Sequence, residues 1–402
     1  MNIDSDNSPA LGPLHGIKVV DLTAAVLGPV ATQVLGDMGA DVVKVEPQAG
    51  DPMRKIGPGR HPDMSAIYLA FNRNKRSVAL DLKDRTAYQA LLKLCEQADV
   101  FVHNMRPSAA ARLGLDYASL REVNPLIIHA SASGYRLDSK WRDRPAFDDV
   151  IQGESGFAGL IERANGEARY VPMPICDQVV GQILAGHIAM ALFQRERSGQ
   201  GQELHLPMLE TMLSMTLGVH MDHGILAQPE KGLGYPRMFT PHRRPYRTKD
   251  GYICILAVYD EQWQRLLGAI GRPELAEDPR FKLLADRANN LGELLAQVGE
   301  SLLEKTTAQW REILDAADVP NGSMNTLEDI WQDEYLRDTG FFVEYEHPSE
   351  GQLTTTAIPA VFSATPGGLH KPPPNLGEHT EQVLRAAGVD ESTISTLVAR
   401  QK

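Results

Sequence analysis

The chain has 402 residues, of which 43% are apolar and 23% charged, the balance of an ordinary globular protein. That length exceeds one usual domain, so two are expected. A net charge of −12 excludes the broad basic face that a nucleic-acid partner needs.

In chain order, residues 1–9 are polar and acidic, which does not make a secretory signal. Residues 17–22 (Ile-Lys-Val-Val-Asp-Leu) predict a buried strand, Gly28-Pro29 opens a helix through Gly39, and Asp41–Glu46 predicts a second strand. This is a β-α-β unit, and the crossover rule makes the strands parallel. Further strands are predicted over 77–82, 100–103 and 126–130, with a helix over 86–97, so the alternation argues for a doubly wound α/β sheet. The first turn lacks a GxGxxG fingerprint, which leaves a nicotinamide or flavin dinucleotide unsupported. An NAD-dependent dehydrogenase would need that turn.

Basic residues cluster in Asn72-Arg-Asn-Lys75-Arg76 with Lys83, and again from Asn104 to Arg112. Arg and Lys at loop ends of a sheet suit a nucleotide phosphate, although a solvated surface has the same composition. Phe147-Asp148-Asp149 brings two adjacent carboxylates, which suit acid/base work or a helix cap. Two prolines then give way at Asp177 to a segment of helical period through Ile183, Leu184, His187, Ile188, Ala191 and Leu192. Asp177 is expected at the helix start, held ionised by the helix dipole, either as a plain N-cap or as a nucleophile.

Residues 229–250, rich in Gly, Pro and basic side chains, read as a linker containing His242, Arg243, Arg244 and Lys249. A strand over 252–258 and helices over 261–270, 291–305 and 308–317 follow, then a loop over 365–377 and a terminal helix over 378–388. The division expected is a large Rossmann-like domain (1–225), a linker (226–250), a small α/β domain (251–318) and a C-terminal segment (319–402) rejoining the first. Cys95, Cys176 and Cys254 are odd in number and widely spaced, as reduced thiols of a cytoplasmic protein are. No His/Cys cluster has metal-site spacing, and no apolar run approaches membrane-spanning length.

The ordered set of motifs resembles the class III CoA transferases of the CaiB/BaiF type, the family that includes formyl-CoA transferase and carnitine CoA transferase. It runs from Leu14-His-Gly-Ile-Lys-Val-Val-Asp21 through Gly28-Pro29 and Gly36-Asp-Met-Gly-Ala40 to Asn72-Arg-Asn-Lys75-Arg76. It continues through Asp81-Leu-Lys83, Arg112-Leu-Gly114, Ser133-Gly134-Tyr135, Arg144-Pro-Ala-Phe-Asp148 and Asp177, then Gly199-Gln-Gly201-Gln202 and Asn375-Leu-Gly-Glu-His379-Thr. The resemblance implies that Asp177 is the nucleophile of a CoA transfer through an aspartyl-CoA thioester, with no metal or redox cofactor. It implies that Tyr135 lies near the thioester and that Val26, Lys75, Leu80, Lys83, Asn104 and Arg112 bind CoA. The partners implied are an acyl-CoA, a carboxylic acid and a second copy of the chain, interlocked so that one chain's large domain faces the other's small domain.

Three departures from the family pattern matter. Pro47-Gln48 stands where some relatives have Arg, the apolar Val26 replaces a Gln, and His242-Arg243-Arg244 occupies roughly the place of a tetraglycine lid. Formyl-CoA/oxalate exchange is therefore disfavoured, and the Arg pair suggests a substrate with a second carboxylate, as in succinyl-type donors. An α-methylacyl-CoA racemase would need a His just before Asp148, where this chain has Phe147. A CoA-binding protein without catalysis is the other alternative.

Overall fold

The computed structural model describes residues 12–400, and the acidic leader lies outside them. Two compact units form. The first takes the chain up to Ser155, Val171–Ser214 and everything from Leu336; the second takes Gly156–Tyr170 and Met215–Tyr335. The divisions thus differ from those expected at 225 and 318, and the predicted linker lies inside the second unit, where it contributes a strand.

The first unit is built on six parallel strands: β1 (Lys18–Leu22), β2 (Asp41–Glu46), β3 (Lys75–Ala79), β4 (Val100–His103), β5 (Ile128–Ser133) and β6 (Gln202–Pro207), in the order β3-β2-β1-β4-β5-β6. Runs such as Asp-Val-Val-Lys-Val-Glu form strands because β-branched side chains pack on a pleated surface covered on both faces. The order reverses between β1 and β4, which opens a ligand crevice at their carboxyl ends.

Helix Leu27–Asp37 follows β1. A Cβ at Gly28 would collide with the Thr23 side chain, so the turn into that helix requires glycine there. The longest helix, Ile175–Ser198, crosses the first one closely, because a Cβ at Gly181 would lie 2.5 Å from the Leu27 carbonyl oxygen. Its 24 residues and mean hydropathy of 1.4 are sufficient to span a bilayer, contrary to the expectation that no apolar run reaches that length. Val180, Leu184, Ile188 and Leu192 instead bury one face of it inside the protein.

Residues after 319 also hold more structure than expected. The antiparallel hairpin of β10 (Phe342–His347) and β11 (Gly351–Thr356) belongs to the first unit, after β7 (Tyr246–Arg247), β8 (Tyr252–Ile255) and β9 (Asn321–Ser323) of the second. Those three strands form a small antiparallel sheet. Helices Asp260–Ala269, Leu291–Ser301 and Thr307–Ala316 pack around Trp263, Leu266, Leu294, Val298, Trp310 and Leu314 to close its core.

Candidate active site

Asp177 lies in the first turn of helix Ile175–Ser198, but it is not the cap: that position is Pro174, whose side chain can accept nothing. The first N–H groups of a helix lack intrahelical partners. The Asp177 N–H finds one outside the helix, donating to Asp148 Oδ2 at 2.9 Å. Asp148 opens the short helix Asp148–Glu154, and its other oxygen, Oδ1, accepts from Gln152 Nε2 at 2.7 Å. Gln152 is fully buried, and its Oε1 accepts the Val171 N–H at 2.8 Å, which ties down the Pro-rich approach to the long helix.

Two carboxyl groups therefore meet at one helix start. Burial, and then the Asp148 charge, push the Asp177 carboxyl up to about 7, against the helix dipole. This corrects the expectation of a carboxylate held ionised by its position alone. The adjacent Cys176 thiol is pushed up to about 12 by burial and by the same acidic neighbours, which makes it inert.

Tyr135 follows β5. Its hydroxyl donates to Glu154 Oε2 at 2.8 Å, and Arg144 pairs with Glu154 Oε1 at 3.0 Å. The Tyr135 carbonyl accepts from the Ser133 hydroxyl and lies 3.2 Å from His205 Nε2 on β6. Helix Asp148–Glu154 thus holds Asp177 at its first turn and Tyr135 at its last. The sequence presented Asp148 as a cap or an acid/base pair, included Gln152 in the family motifs without a role, and gave no role to Glu154 or His205. The i, i+4 spacing of Asp148 and Gln152 was the available signal.

At the sheet's switch point, Asn104 clamps the first turn, accepting the Ala24 N–H at 3.0 Å and donating to its carbonyl at 2.8 Å. Ala25 beside it has φ 66°, a left-handed conformation uncommon for alanine and one that marks functional turns. Val26 is buried at the start of the following helix.

The residues expected to bind CoA divide. Lys83 and Arg112 have exposed side chains. Lys75 has none of its surface exposed: its ammonium bonds the Pro29 carbonyl and Asn72 Oδ1 at 3.0 Å and lies 3.3 Å from Asp21. Leu80 is equally buried, within the core of the sheet. Neither side chain can reach a surface ligand, so both are corrected to structural roles. Burial and the repulsion of Lys44 push Lys75 down to about 8, despite Asp21. Burial would raise Asp21, but Lys75, Lys44 and the Thr23 and Thr32 hydroxyls more than reverse it.

In the second unit, Arg243 and Arg244 line a cavity of about 420 Å³ with Tyr246, Ala257, Trp263 and Leu295. Its walls are mostly apolar, and Arg237 is a third arginine among them. His242 is not among its lining residues.

Comparison with known proteins gives a consistent answer. The model of "CoA-transferase family III" matches residues 14–380. A probable fatty acyl-CoA transferase of Mycobacterium tuberculosis is 34% identical over 393 residues, covering 92% of this chain and 97% of that protein. A crystal structure of an aspartate-to-alanine mutant of the mycobacterial protein superposes with a TM-score of 0.82 at 30% identity, covering 94% of this chain and 99% of the other. Human succinyl-CoA:glutarate CoA-transferase is 30% identical over 374 residues, covering 93% of this chain and 85% of its own. A CAIB/BAIF family protein of Brucella suis matches with a TM-score of 0.80 at 28% identity, covering 94% of this chain and all of the other.

Proposed function

The chain belongs to CoA-transferase family III, and from that premise we propose that Asp177 is the nucleophile of the transfer. Its carboxylate attacks the thioester carbonyl of an acyl-CoA, the carbon–sulfur bond breaks, and CoA leaves as the thiolate. An acyl–aspartyl anhydride remains. The thiolate then attacks the aspartyl carbonyl, expelling the acyl group as a free carboxylate and forming an aspartyl-CoA thioester. An incoming carboxylate reverses both steps and departs carrying CoA. Covalent catalysis divides one hard exchange into easier acyl transfers and requires neither metal nor redox cofactor.

The observation that carries this reading is the Asp177 carboxyl itself, partly buried in the first turn of a helix and pushed up to about 7, where its anion is a stronger nucleophile than an ordinary carboxylate. The turn clamped by Asn104, with Lys83 and Arg112, holds the CoA nucleotide, and Tyr135 borders the thioester. The acyl group or acceptor carries a second carboxylate: Arg243 and Arg244, with Arg237, on a mostly apolar cavity support this, as does the human relative named for succinyl-CoA and glutarate. Racemisation is disfavoured, because Phe147 cannot accept a proton. The working form is an interlocked homodimer, supported by the exposed Met190 and Phe193 on the nucleophile helix. Free thiols at all three cysteines support a cytoplasmic setting.

The test is intact-protein mass after mixing wild type and Asp177→Ala with a panel of acyl-CoA donors and hydroxylamine, which converts an activated aspartyl carboxyl to a stable hydroxamate. A donor-dependent adduct mapped to Asp177, absent from the variant, is expected. No adduct with any donor, despite CoA binding, rejects the mechanism in favour of a racemase or a non-catalytic binder, and solvent deuterium exchange at the acyl α-carbon separates those two.

A further inference from the structure

The Asp148 side chain has a second role beyond bracing the helix start. Resting on Asp177 as the nucleophile, we propose that Asp148 is its positioning residue: it fixes the Asp177 backbone and, by its own negative charge, favours the uncharged acylated forms of Asp177 over the free carboxylate.

The geometry carries the first half. Asp148 Oδ2 accepts the Asp177 N–H at 2.9 Å, while Asp148 Oδ1 and Gln152 tie the same brace to Val171. Fixing the third residue of the helix fixes the origin from which the Asp177 side chain projects. A misplacement of about 1 Å at such a residue costs about 100-fold in rate.

The second half follows from the charges facing Asp177. The short helix brings Asp148 and Asp149, and the nucleophile's own helix brings Cys176, whose thiol is neutral. Helix Leu27–Asp37 meets it through the apolar Leu27 and Val30 at Gly181. The strands packed on the long helix, β5 and β6, carry His129, Glu203 and His205, and His205 is taken up by Ser131 and Tyr135. Among the described residues, neither Asp148 nor Asp177 forms an ion pair. A buried carboxylate and a half-buried one side by side repel. Forming the anhydride or the CoA thioester turns the Asp177 carboxylate into a neutral acyl group. The like-charge pair then disappears while Asp148 keeps its hydrogen bonds. Repulsion in the resting enzyme thereby becomes a driving force for acylation.

The experiment compares wild type with Asp148→Asn, which keeps an acceptor oxygen for the Asp177 N–H but removes the charge. Two quantities are read: the acidic limb of kcat/KM against pH, and the fraction of Asp177 trapped as hydroxamate at a fixed donor-to-acid ratio. The limb should move to lower pH by about one unit or more, and the trapped fraction at pH 8 should fall about tenfold. A limb and a trapped fraction both unchanged in a folded Asp148→Asn protein overturn the proposal and leave Asp148 a structural cap. Should that variant not fold, Asp148→Ser, which also removes the charge and offers a hydroxyl oxygen, is read for the same two quantities, with the same outcomes supporting or overturning the proposal. Absence of any adduct on wild type instead rejects Asp177 as the nucleophile, a different result from an unshifted limb.

Discussion

Two groups of buried carboxylates in the first unit obey opposite rules. Beneath the first turn, Asp21, Glu46 and Asp51 face Lys75, Arg54 and Lys44 in three ion pairs at 3.3, 2.7 and 2.9 Å, with every side chain at most 1% exposed. Each carboxylate has further donors: Thr23 and Thr32 on Asp21, Ser77 on Glu46 and the Met53 N–H on Asp51. Charge balances charge, and the three strands they hang from are held in register. At the start of the long helix, Asp148 and Asp177 meet with no ion pair to a cation among the described residues. Matched buried charges hold a fold together, and a mismatched pair is strain kept at a reactive position.

The most severe break of this contrast is Asp177→Ala. It should lower CoA exchange by about 10⁴-fold or more without lowering the thermal unfolding temperature, as measured by chromatographic turnover and calorimetry. Lys75→Met attacks the matched side. It leaves Asp21 without its nearest cation and should cost about 3–5 kcal/mol in denaturant unfolding, with the donor KM of the folded fraction unaltered. A raised donor KM without lost stability would return Lys75 to the CoA site.

Asp177→Asn sharpens the comparison through pH. The folded-state value of Asp177 lies above its ordinary one, so its favourable contribution is complete below about pH 4 and is lost as pH rises through about 7. Removing the charge should therefore stabilise the protein by about 2 kcal/mol at pH 8. The gain should vanish in unfolding scans near pH 4. Smaller still, Arg243→Ala or Arg244→Ala should raise the KM for dicarboxylates about tenfold and leave monocarboxylates alone. Equal values for both acid classes would remove the arginines from the acyl pocket.

The sequence made the matched side legible as strands but not as an ion network. Asp41–Glu46 and Val100–His103 were bounded correctly because they are short apolar, β-branched runs. The basic run at 72–76 looked like either a phosphate site or a wet surface. Its cations are spent on acids more than thirty positions away: Arg73 on Asp37, Arg76 on Asp41 and Lys75 on Asp21. No local pattern announces such partners. β6 escaped notice because Gln-Glu-Leu-His-Leu-Pro is a half-buried edge strand with too little apolar character. The setting of Asp177 marked a helix start, yet the acceptor of its N–H comes from 29 residues upstream, which periodicity cannot reveal.

The seven-residue helix Asp148–Glu154 has a practical consequence for redesign. One short helix bears on Asp177 at its first residue and on Tyr135 at its last. A substitution at Arg144, Glu154 or Tyr135 acts on the last residue of the helix whose first residue holds the Asp177 N–H. On the roles proposed for Tyr135 and Asp177, an engineer who changes the Tyr135 end should expect to retune the Asp148 end in the same round.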